Sequence, residues 1–144
     1  MSVFDPKEMV VLLNGREITE FGEKGNAIEF TPGVPAGTYT MGVTGKGVFI
    51  NDPDKSGSLV LNMAQHSADN KWLNTQKQTQ RESIRSFVPF TLEIKDLLNE
   101  DVVTAQKGYF TELPGFMRGT NVNNTRWMIV FETHNMALEK GFGN

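Results

Sequence analysis

The chain contains few residues whose types and spacing could support catalysis. Its two histidines, His66 and His134, do not fall within a metal-binding spacing such as HExxH. His66, Ser67 and Asp69 include the three residue types of a hydrolytic triad. Such triads are assembled from distant segments, however, and Ser67 is better explained as a helix cap. We therefore expect no catalytic residues and no enzymatic activity.

Two further stretches contain residue types that could bind a ligand. The segment Asn51-Asp52-Pro53-Asp54 offers oxygen ligands for calcium, but it lacks the following glycine and distal glutamate of an EF-hand, and turn formation explains it better. Gly45-Lys46-Gly47 lacks the GxxxxGK[ST] spacing of a phosphate loop. Trp72 and Trp127 could stack on a sugar or a base, but core packing is favoured because both lie on apolar faces. The sequence predicts no metal site and no cofactor.

Composition limits the classes to which the protein can belong. With 144 residues, of which 38% are hydrophobic, residues 1–144 are expected to form one domain with a sizeable core. A formal charge of −3 without clustered Lys and Arg argues against a conventional nucleic-acid binder. No apolar run approaches the length of a membrane span, and residues 1–10 contain no hydrophobic signal core. The absence of cysteine excludes disulfides and fits a reducing compartment.

Most of the chain reads as short strands separated by turn residues. A hairpin is expected first, because Asn14-Gly15 is a strong two-residue turn signal between two apolar segments. The expected strands are Met9–Leu13, Glu17–Phe21, Ala27–Thr31, Thr38–Thr44, Ser58–Ala64, Phe87–Lys95, Val102–Leu113 and Arg126–Thr133, followed by a tail, His134–Asn144. The connections are too short for parallel crossovers. The predicted fold is mainly β, an antiparallel β-sandwich or half-open barrel with one short α-helix packed on its side.

One long connection separates two of these strands. Thr38–Thr44 alternates with Tyr39, Met41 and Val43 on one face, which is typical of a half-buried strand. The alternation returns at Ser58. Between the two strands lies an arm at about 44–58 that is rich in turn formers. The arm carries a short apolar group, Val48, Phe49 and Ile50.

A single helix is expected after the Ser58–Ala64 strand. Ser67 is a suitable cap for a helix that begins at Ala68, and Trp72 and Leu73 give that helix an apolar side. The polar segment Asn74–Ser86 either extends the helix or forms a surface loop. If it is helical, three cations lie four residues apart: Lys77, Arg81 and Arg85. They could form a stripe for an anionic partner, although a solvated face is the favoured interpretation.

The order of these elements resembles the tail-tube proteins of contractile-tailed bacteriophages. In that family a strand of the form "sGsltLnl" runs into a helix start of the form "S-x-x-N-x-x-L". The matching residues here are Ser56, Gly57, Leu59, Leu61, Ser67, Asn70 and Leu73. The later strands, through Gly108-Tyr109 and Arg126-Trp127, also fit, so that the resemblance covers roughly Met9–Thr133.

The resemblance implies a structural protein that forms hexameric rings. Stacked rings would make the hollow inner tube of a phage tail, through which DNA passes without specific binding. The partners implied are other copies of the chain, a surrounding sheath, and baseplate or terminator proteins at the ends, with no membrane. The implied location is the tail of the virion, after assembly in the host bacterial cytoplasm.

The resemblance also implies roles for particular residues. The arm would contact a neighbouring ring through Thr44, Gly45, Lys46, Gly47, Val48, Phe49, Ile50, Asn51, Asp52, Asp54 and Lys55. The helix, through Ser67, Trp72 and Leu73, would brace the sheet or contact another subunit. Glu29 and Thr31 are the candidates for exposure to the lumen, where acidic groups would repel DNA.

Four other interpretations remain open at this stage. The chain could be a monomeric ligand-binding β-sandwich module that uses Trp127 or Tyr109 as a stacking platform. It could also be a secretion-system tube protein or a tail terminator, both of which share the tube geometry. An enzyme that uses His66 or His134 is the least favoured.

Overall fold

Nine strands and one helix make up the regular structure of the described residues, which are 9–19, 28–65, 67–96, 101–116 and 125–137 of a computed structural model. The strands are β1 (Met9–Leu13), β2 (Arg16–Glu17), β3 (Ile28–Pro32), β4 (Gly37–Met41), β5 (Gly47–Asn51), β6 (Gly57–Met63), β7 (Phe90–Asp96), β8 (Asp101–Glu112) and β9 (Thr125–Ala137); the helix, α1, is Asp69–Glu82. The expected mainly-β composition with one helix is confirmed. Within these residues, no helix is long and apolar enough to cross a membrane.

Seven of the strands form one antiparallel sheet in the order β2-β1-β7-β8-β9-β6-β3. The sheet begins with the expected hairpin, in which Asn14 and Gly15 both adopt positive φ, as a tight two-residue turn requires. Of the returning strand expected at Glu17–Phe21, only Glu17 lies in β2; residues 20 and 21 fall outside the described residues.

One face of this sheet carries the core. In β6 and β7 every second residue is buried, which is the period that the alternating sequences of these strands predict. The buried apolar side chains of the core are Val11, Leu13, Ile18, Leu59, Leu61, Met63, Leu73, Phe87, Phe90, Leu92, Ile94, Ala105, Phe110, Trp127, Ile129 and Phe131. The expectation that Trp127 packs in the core is confirmed.

Two details at the strand ends differ from the sequence prediction. The alternation of the expected strand Phe87–Lys95 places Val88 on the same face as Phe90, Leu92 and Ile94, yet Val88 is exposed. The reason is that β7 begins only at Phe90, and Phe87 takes the buried position in front of it, 5.3 Å from the Phe90 ring. The prediction of a C-terminal tail at His134–Asn144 is also wrong for residues 134–137. Residues 134–137 continue β9, because the long strand β8 supplies backbone partners for them.

The helix α1 packs on the core side of the sheet. The helix begins at Asp69, one residue later than expected, so its N-cap residue is Ala68, which has no side-chain cap bond. Ser67 lies one position before the cap, and its hydroxyl still accepts a hydrogen bond from the Asp69 backbone N–H at 3.2 Å. The polar segment that follows is helical as far as Glu82, so Lys77 and Arg81 lie on α1 whereas Arg85 lies in the turn beyond it.

Two amides fasten α1 to the sheet. Asn70 donates its Nδ2–H to the carbonyl of Ala64 at 2.9 Å, and its Oδ1 accepts the indole N–H of Trp127 at 3.0 Å. Gln80, in the last turn of α1, bonds both backbone groups of Phe110. Its side-chain amide donates to the Phe110 carbonyl and accepts from the Phe110 N–H, each at 2.9 Å. Gln80 thus satisfies backbone groups where the β8–β9 register shifts.

The buried carboxylate of Asp69 connects the start of α1 to the first hairpin. Its Oδ1 accepts hydrogen bonds from Nε and Nη2 of Arg16 at 3.1 and 3.0 Å, and its Oδ2 accepts the Thr19 N–H at 2.8 Å. The Ser67 hydroxyl also donates to the Thr19 carbonyl. Because β2 and β6 lie near opposite edges of the sheet, these bonds indicate that the sheet curves around α1. Of the two predicted arrangements, a β-sandwich and a half-open barrel, the curved sheet corresponds to the half-open barrel.

We expect Asp69→Ala to lower the free energy of unfolding by about 2–3 kcal/mol, since charged hydrogen bonds are lost and the Thr19 N–H is left without its acceptor. The loss is limited because the Arg16 side chain is 43% exposed and can return to water. Urea unfolding measures the change. Glu93→Ala is the matched control, because Glu93 forms an exposed ion pair with Lys95 that should contribute at most about 1 kcal/mol. Equal losses in the two variants would contradict the structural role of Asp69.

Candidate assembly interface

Strands β4 and β5 form a hairpin that is separate from the main sheet. They pair only with each other, from Gly37 opposite Asn51 to Met41 opposite Gly47. The strand expected at Thr38–Thr44 forms as far as Met41, but the prediction that it is half-buried is wrong. Tyr39 and Met41 alternate on one face of β4, but they are 72% and 63% exposed, because no face of β4 lies against the core. Val43, expected on the same face, lies in the turn beyond the end of β4 and is fully exposed.

The hairpin starts earlier than the arm expected from the sequence, at Gly37 rather than Thr44. Thr44, Gly45 and Lys46 form its tip, where Gly45 adopts φ +84° in a turn that the Gly42 carbonyl closes. Gly47 and the expected apolar group lie in β5. Asn51 ends β5, and 52–56 connect it to β6, which already includes Gly57 and Ser58.

Apolar side chains cover both faces of the hairpin. Tyr39 and Phe49 are cross-strand partners with ring centroids 5.0 Å apart, while Val48 and Ile50 project from the opposite face beside Thr40 and Thr38. Val48, Phe49 and Ile50 are each at least 50% exposed. The apolar group expected from the sequence is thus exposed, and it is joined by Tyr39 and Met41, which the sequence had placed on one face of a half-buried strand.

The base of the hairpin is fixed by backbone and turn hydrogen bonds. Gly33 N–H donates to the Ser56 carbonyl at 2.8 Å, and Asp52 N–H donates to the Ala36 carbonyl at 2.9 Å. Two successive turns follow, with Asp54 N–H donating to Asp52 and Ser56 N–H donating to Asp54. The bonds from Ser56 lower the pKa of Asp54. Both carboxylates therefore take part in turns, as the sequence predicted.

His134 makes a further contact at this base. Its Nδ1 lies 2.7 Å from the Lys55 carbonyl, and its ring is 5.2 Å from the ring of Phe30. The carbonyl can only accept, so Nδ1 carries the proton. No group of three or more His, Asp or Glu side chains within the described residues could hold a metal ion, and His66 falls outside them.

The candidate lumen residues lie on the face of the sheet that points away from the core. Glu29 and Thr31 are both exposed on β3, opposite Val60 and Ser58 of β6. β3 is an edge strand, and no other described strand pairs with its outer side. This edge could accept a strand from another chain.

The helix residues singled out from the sequence have partners within their own chain. Ser67 and Leu73 are buried, the latter in the core. Trp72 packs edge-on against Phe90 with centroids 6.0 Å apart, and the Arg16 guanidinium lies 5.3 Å from its ring centroid. All three residues therefore hold the helix to the sheet and the first hairpin. No local signal predicted the contributions of Arg16 and Gln80, because their partners lie 53 and 30 residues away along the chain. Asn70 matched the S-x-x-N-x-x-L pattern, but its bond to Trp127, 57 residues away, had no local signal either.

The two proposed stacking platforms are not equivalent. Trp127 is only 2% exposed, so it cannot stack on a ligand. Tyr109 lines an open groove of about 670 Å³ on the outer face of the sheet, together with Ser56, Pro89, Lys107, Thr111, Val130, Phe131 and Glu132. Lys107 and Glu132 form an ion pair across 3.4 Å in this groove, so its only charges are already paired with each other.

The fold is similar to those of several solved structures from contractile injection systems. A chain of the anti-feeding prophage cap, the AFP tube terminating cap, matches with 13% identity and a TM-score of 0.60 over 96% of this chain and 93% of that one. A chain of the PVC sheath–tube complex in its extended state matches with 9% identity and a TM-score of 0.60, over 94% of this chain and 92% of that one.

A chain of the PVC sheath/tube terminator, also in its extended state, matches with 9% identity and a TM-score of 0.61, covering 95% of this chain and 98% of that one. No protein-family model and no curated protein matches the sequence. At these identities the comparisons show the fold alone, and that fold is tail-tube-like over almost the whole chain.

Proposed function

We propose that this chain is a structural subunit of a contractile tail and that its rings stack to form the hollow inner tube. The observation that carries the proposal is the β4–β5 hairpin: on a tube-like fold it presents apolar side chains that its own chain leaves uncovered. The fold shared with parts of contractile injection systems supports the same assignment.

The hairpin has physical reasons to bind another subunit. An isolated two-stranded hairpin is at best marginally stable in water. The β4–β5 hairpin is close to that situation, because among the described residues its hydrogen bonds to the rest of the chain lie at its base. Burial of each large apolar side chain contributes about 1.5–3 kcal/mol. A neighbouring ring that covers Val48, Phe49 and Ile50 would therefore stabilise both the hairpin and the stack.

The free edge of β3 offers a second contact, within a ring. Pairing of this edge with a strand of the adjacent subunit would join the sheets into a continuous barrel and leave fewer open edges. In that arrangement Glu29 and Thr31 would lie on the inner surface. An acidic chain of formal charge −3 suits a channel for DNA, since its 17 acidic side chains outnumber its 14 basic ones and the net charge repels the phosphates. Sheath, baseplate and terminator proteins are the further partners that this role requires.

A tube terminator is the second candidate. The likeness to the AFP tube terminating cap and to the PVC sheath/tube terminator favours a terminator. The likeness to the sheath–tube complex favours a tube subunit to the same degree. A terminator would form a ring that binds the last ring of a tube with one face only. It would not extend into a cylinder by itself.

Light scattering and negative-stain microscopy of the purified protein separate these proposals. We expect concentration-dependent assembly into hollow cylinders of stacked rings, because stable assemblies of this kind bury on the order of 2,000 Å² or more per interface. Single rings that do not stack would favour the terminator. A strict monomer at every concentration would contradict both and leave the ligand-binding module as the remaining interpretation.

A further inference from the structure

Three ion pairs lie on the outer face of the main sheet, which is the face that points away from the core. They are Glu93–Lys95, Lys107–Glu132 and Glu112–Arg126, with nitrogen–oxygen distances of 2.8, 3.4 and 2.8 Å. In β7 and β9 the charged members alternate with buried residues, so they point to the outer face, and their partners on β8 must share it. Among the described strands of this sheet the only other cation is Arg16, which bonds to Asp69 on the helix side. Every cation that these strands carry on the outer face is therefore paired.

Carboxylates outnumber cations on this face. Glu17 and Glu29 also lie on it, because the residues opposite them in β1 and β6 alternate with buried ones. The remaining acidic residues of the described strands, Asp96 and Asp101, lie opposite each other on the core face. The strands thus place five carboxylates and three cations on the outer face, an excess of two negative charges.

The cations on the helix side are arranged differently. Four of them lie on α1 and the turn that follows it, and none forms an ion pair within the described residues: Lys71, Lys77, Arg81 and Arg85. The acidic side chains of this segment are Glu82 and Asp69, and Asp69 pairs with Arg16. Neutralisation of each cation by a neighbouring carboxylate therefore distinguishes the outer face from the helix side.

The open groove on the outer face contains components of a nucleic-acid-binding surface. Tyr109, Lys107 and Glu132 are among the residues that line its volume of about 670 Å³. A lysine can hold a phosphate, and an aromatic ring beside it can contact a base or sugar. Glu132 opposes this use, because a phosphate that approached Lys107 Nζ would meet a carboxylate oxygen 3.4 Å from that nitrogen.

We propose that Glu112 and Glu132 keep the outer face from binding DNA, because they neutralise Arg126 and Lys107 at the centre of the sheet. The inference rests on the proposed tube function, in which this face lines the channel, and it adds the residues that prevent DNA from being held there. Salt screens an exposed charge beyond about 8 Å at physiological ionic strength. Each cation therefore needs a carboxylate directly beside it, and a general excess of acidic residues elsewhere on the chain does not replace it.

The first test removes the two carboxylates and keeps the cations. We expect Glu112→Gln with Glu132→Gln to bind a fluorescent DNA duplex of about 20 base pairs at least about tenfold more tightly than the wild type at about 50 mM salt. Each freed cation can contact one phosphate, so the plot of log affinity against log salt should steepen by about 2. Fluorescence anisotropy measures both quantities, at protein concentrations where light scattering detects no stacks. An affinity and a slope equal to those of the wild type would overturn the inference.

The variant should fold normally, because an exposed ion pair contributes at most about 1 kcal/mol to stability. Its matched control is Glu17→Gln with Glu29→Gln, which also removes two carboxylates from the outer face and also changes the formal charge from −3 to −1. Both control positions lie in edge strands, at least two strands and about 10 Å from Arg126 and Lys107. We expect the control to gain about threefold or less in affinity, since screening weakens its effect. An equal gain in both variants would show that net charge decides DNA binding, and would refute the role of the pairs.

The second test removes the cations as well. Lys107→Gln and Arg126→Gln, added to the glutamine variant of Glu112 and Glu132, restore the formal charge of −3. We expect the affinity for the duplex and its salt dependence to return to the wild-type values. Tight binding that persists would place the DNA on other cations, such as those of α1, and would overturn the inference.

The outcomes separate this inference from the proposed function. DNA binding is measured on unstacked subunits, so its result does not depend on assembly. A wild-type chain that remains monomeric contradicts the tube and the terminator, whereas the anisotropy measurement still decides whether the two glutamates prevent DNA binding. A wild-type chain that stacks into cylinders, combined with a glutamine variant that binds DNA no better, overturns the inference alone.

Discussion

Changing Val48, Phe49 and Ile50 together to serine is expected to abolish the stacking of rings and to leave the fold of each subunit intact. The three side chains are exposed in the single chain, so removing them costs the monomer little. In a stack, each should contribute about 1.5–3 kcal/mol when it is buried. Their loss should therefore weaken the contact between subunits at least about a thousandfold, since every 1.4 kcal/mol corresponds to about tenfold in affinity.

Sedimentation of assembled material measures this effect, and circular dichroism checks the fold. A matched control within the same hairpin is Thr38→Ser with Thr40→Ser, which keeps the strand pairing and all the apolar side chains. The control should sediment like the wild type. If the serine variant of β5 stacks normally, the hairpin does not hold neighbouring rings and the proposed function loses its main support.

The second large effect is expected from Trp127→Ala, which should lower the free energy of unfolding by about 3–5 kcal/mol. Trp127 is 2% exposed, its ring centroid is 5.6 Å from that of Phe110, and its indole N–H donates to Asn70. Alanine would leave a large cavity beneath α1 and remove the donor that helps to position the helix.

Trp127→Phe divides this loss into two parts. Phenylalanine retains most of the apolar volume but not the N–H, so the Asn70 Oδ1 loses its partner and we expect a loss of about 1–2 kcal/mol. The neighbouring Arg126→Ala is the control on the outer face, where Arg126 forms an exposed ion pair with Glu112. Urea unfolding reports all three changes. A Trp127→Ala loss as small as that of Arg126→Ala would contradict the packing described above.

The local elements of this fold could be read from the sequence because short-range rules fix them. Asn14-Gly15 forms the predicted turn since both residues tolerate positive φ. The helix starts within two residues of Ser67, whose hydroxyl accepts the Asp69 backbone N–H, although Ala68 is the cap residue. The alternating pattern of β6 and β7 places their apolar residues on one buried face.

The candidate interface was located only in part. The sequence identified Val48, Phe49 and Ile50 as an apolar group on a projecting arm, and the structure places all three on an exposed hairpin. It did not indicate that Tyr39 and Met41 belong to the same hairpin. Alternation shows which side chains share a face, but it is equally compatible with a face turned to the core and with one turned to solvent.

By itself, the sequence determined most strands of the main sheet, the position of the helix, the absence of cysteine chemistry and the presence of an unusual apolar arm. The tertiary structure decided which of these elements meet. It joined Asp69 to Arg16, set Gln80 against the backbone of Phe110, and left the apolar side chains of the β4–β5 hairpin exposed. These contacts join residues far apart along the chain, and burial depends on the whole fold, so no local pattern of residues could reveal them.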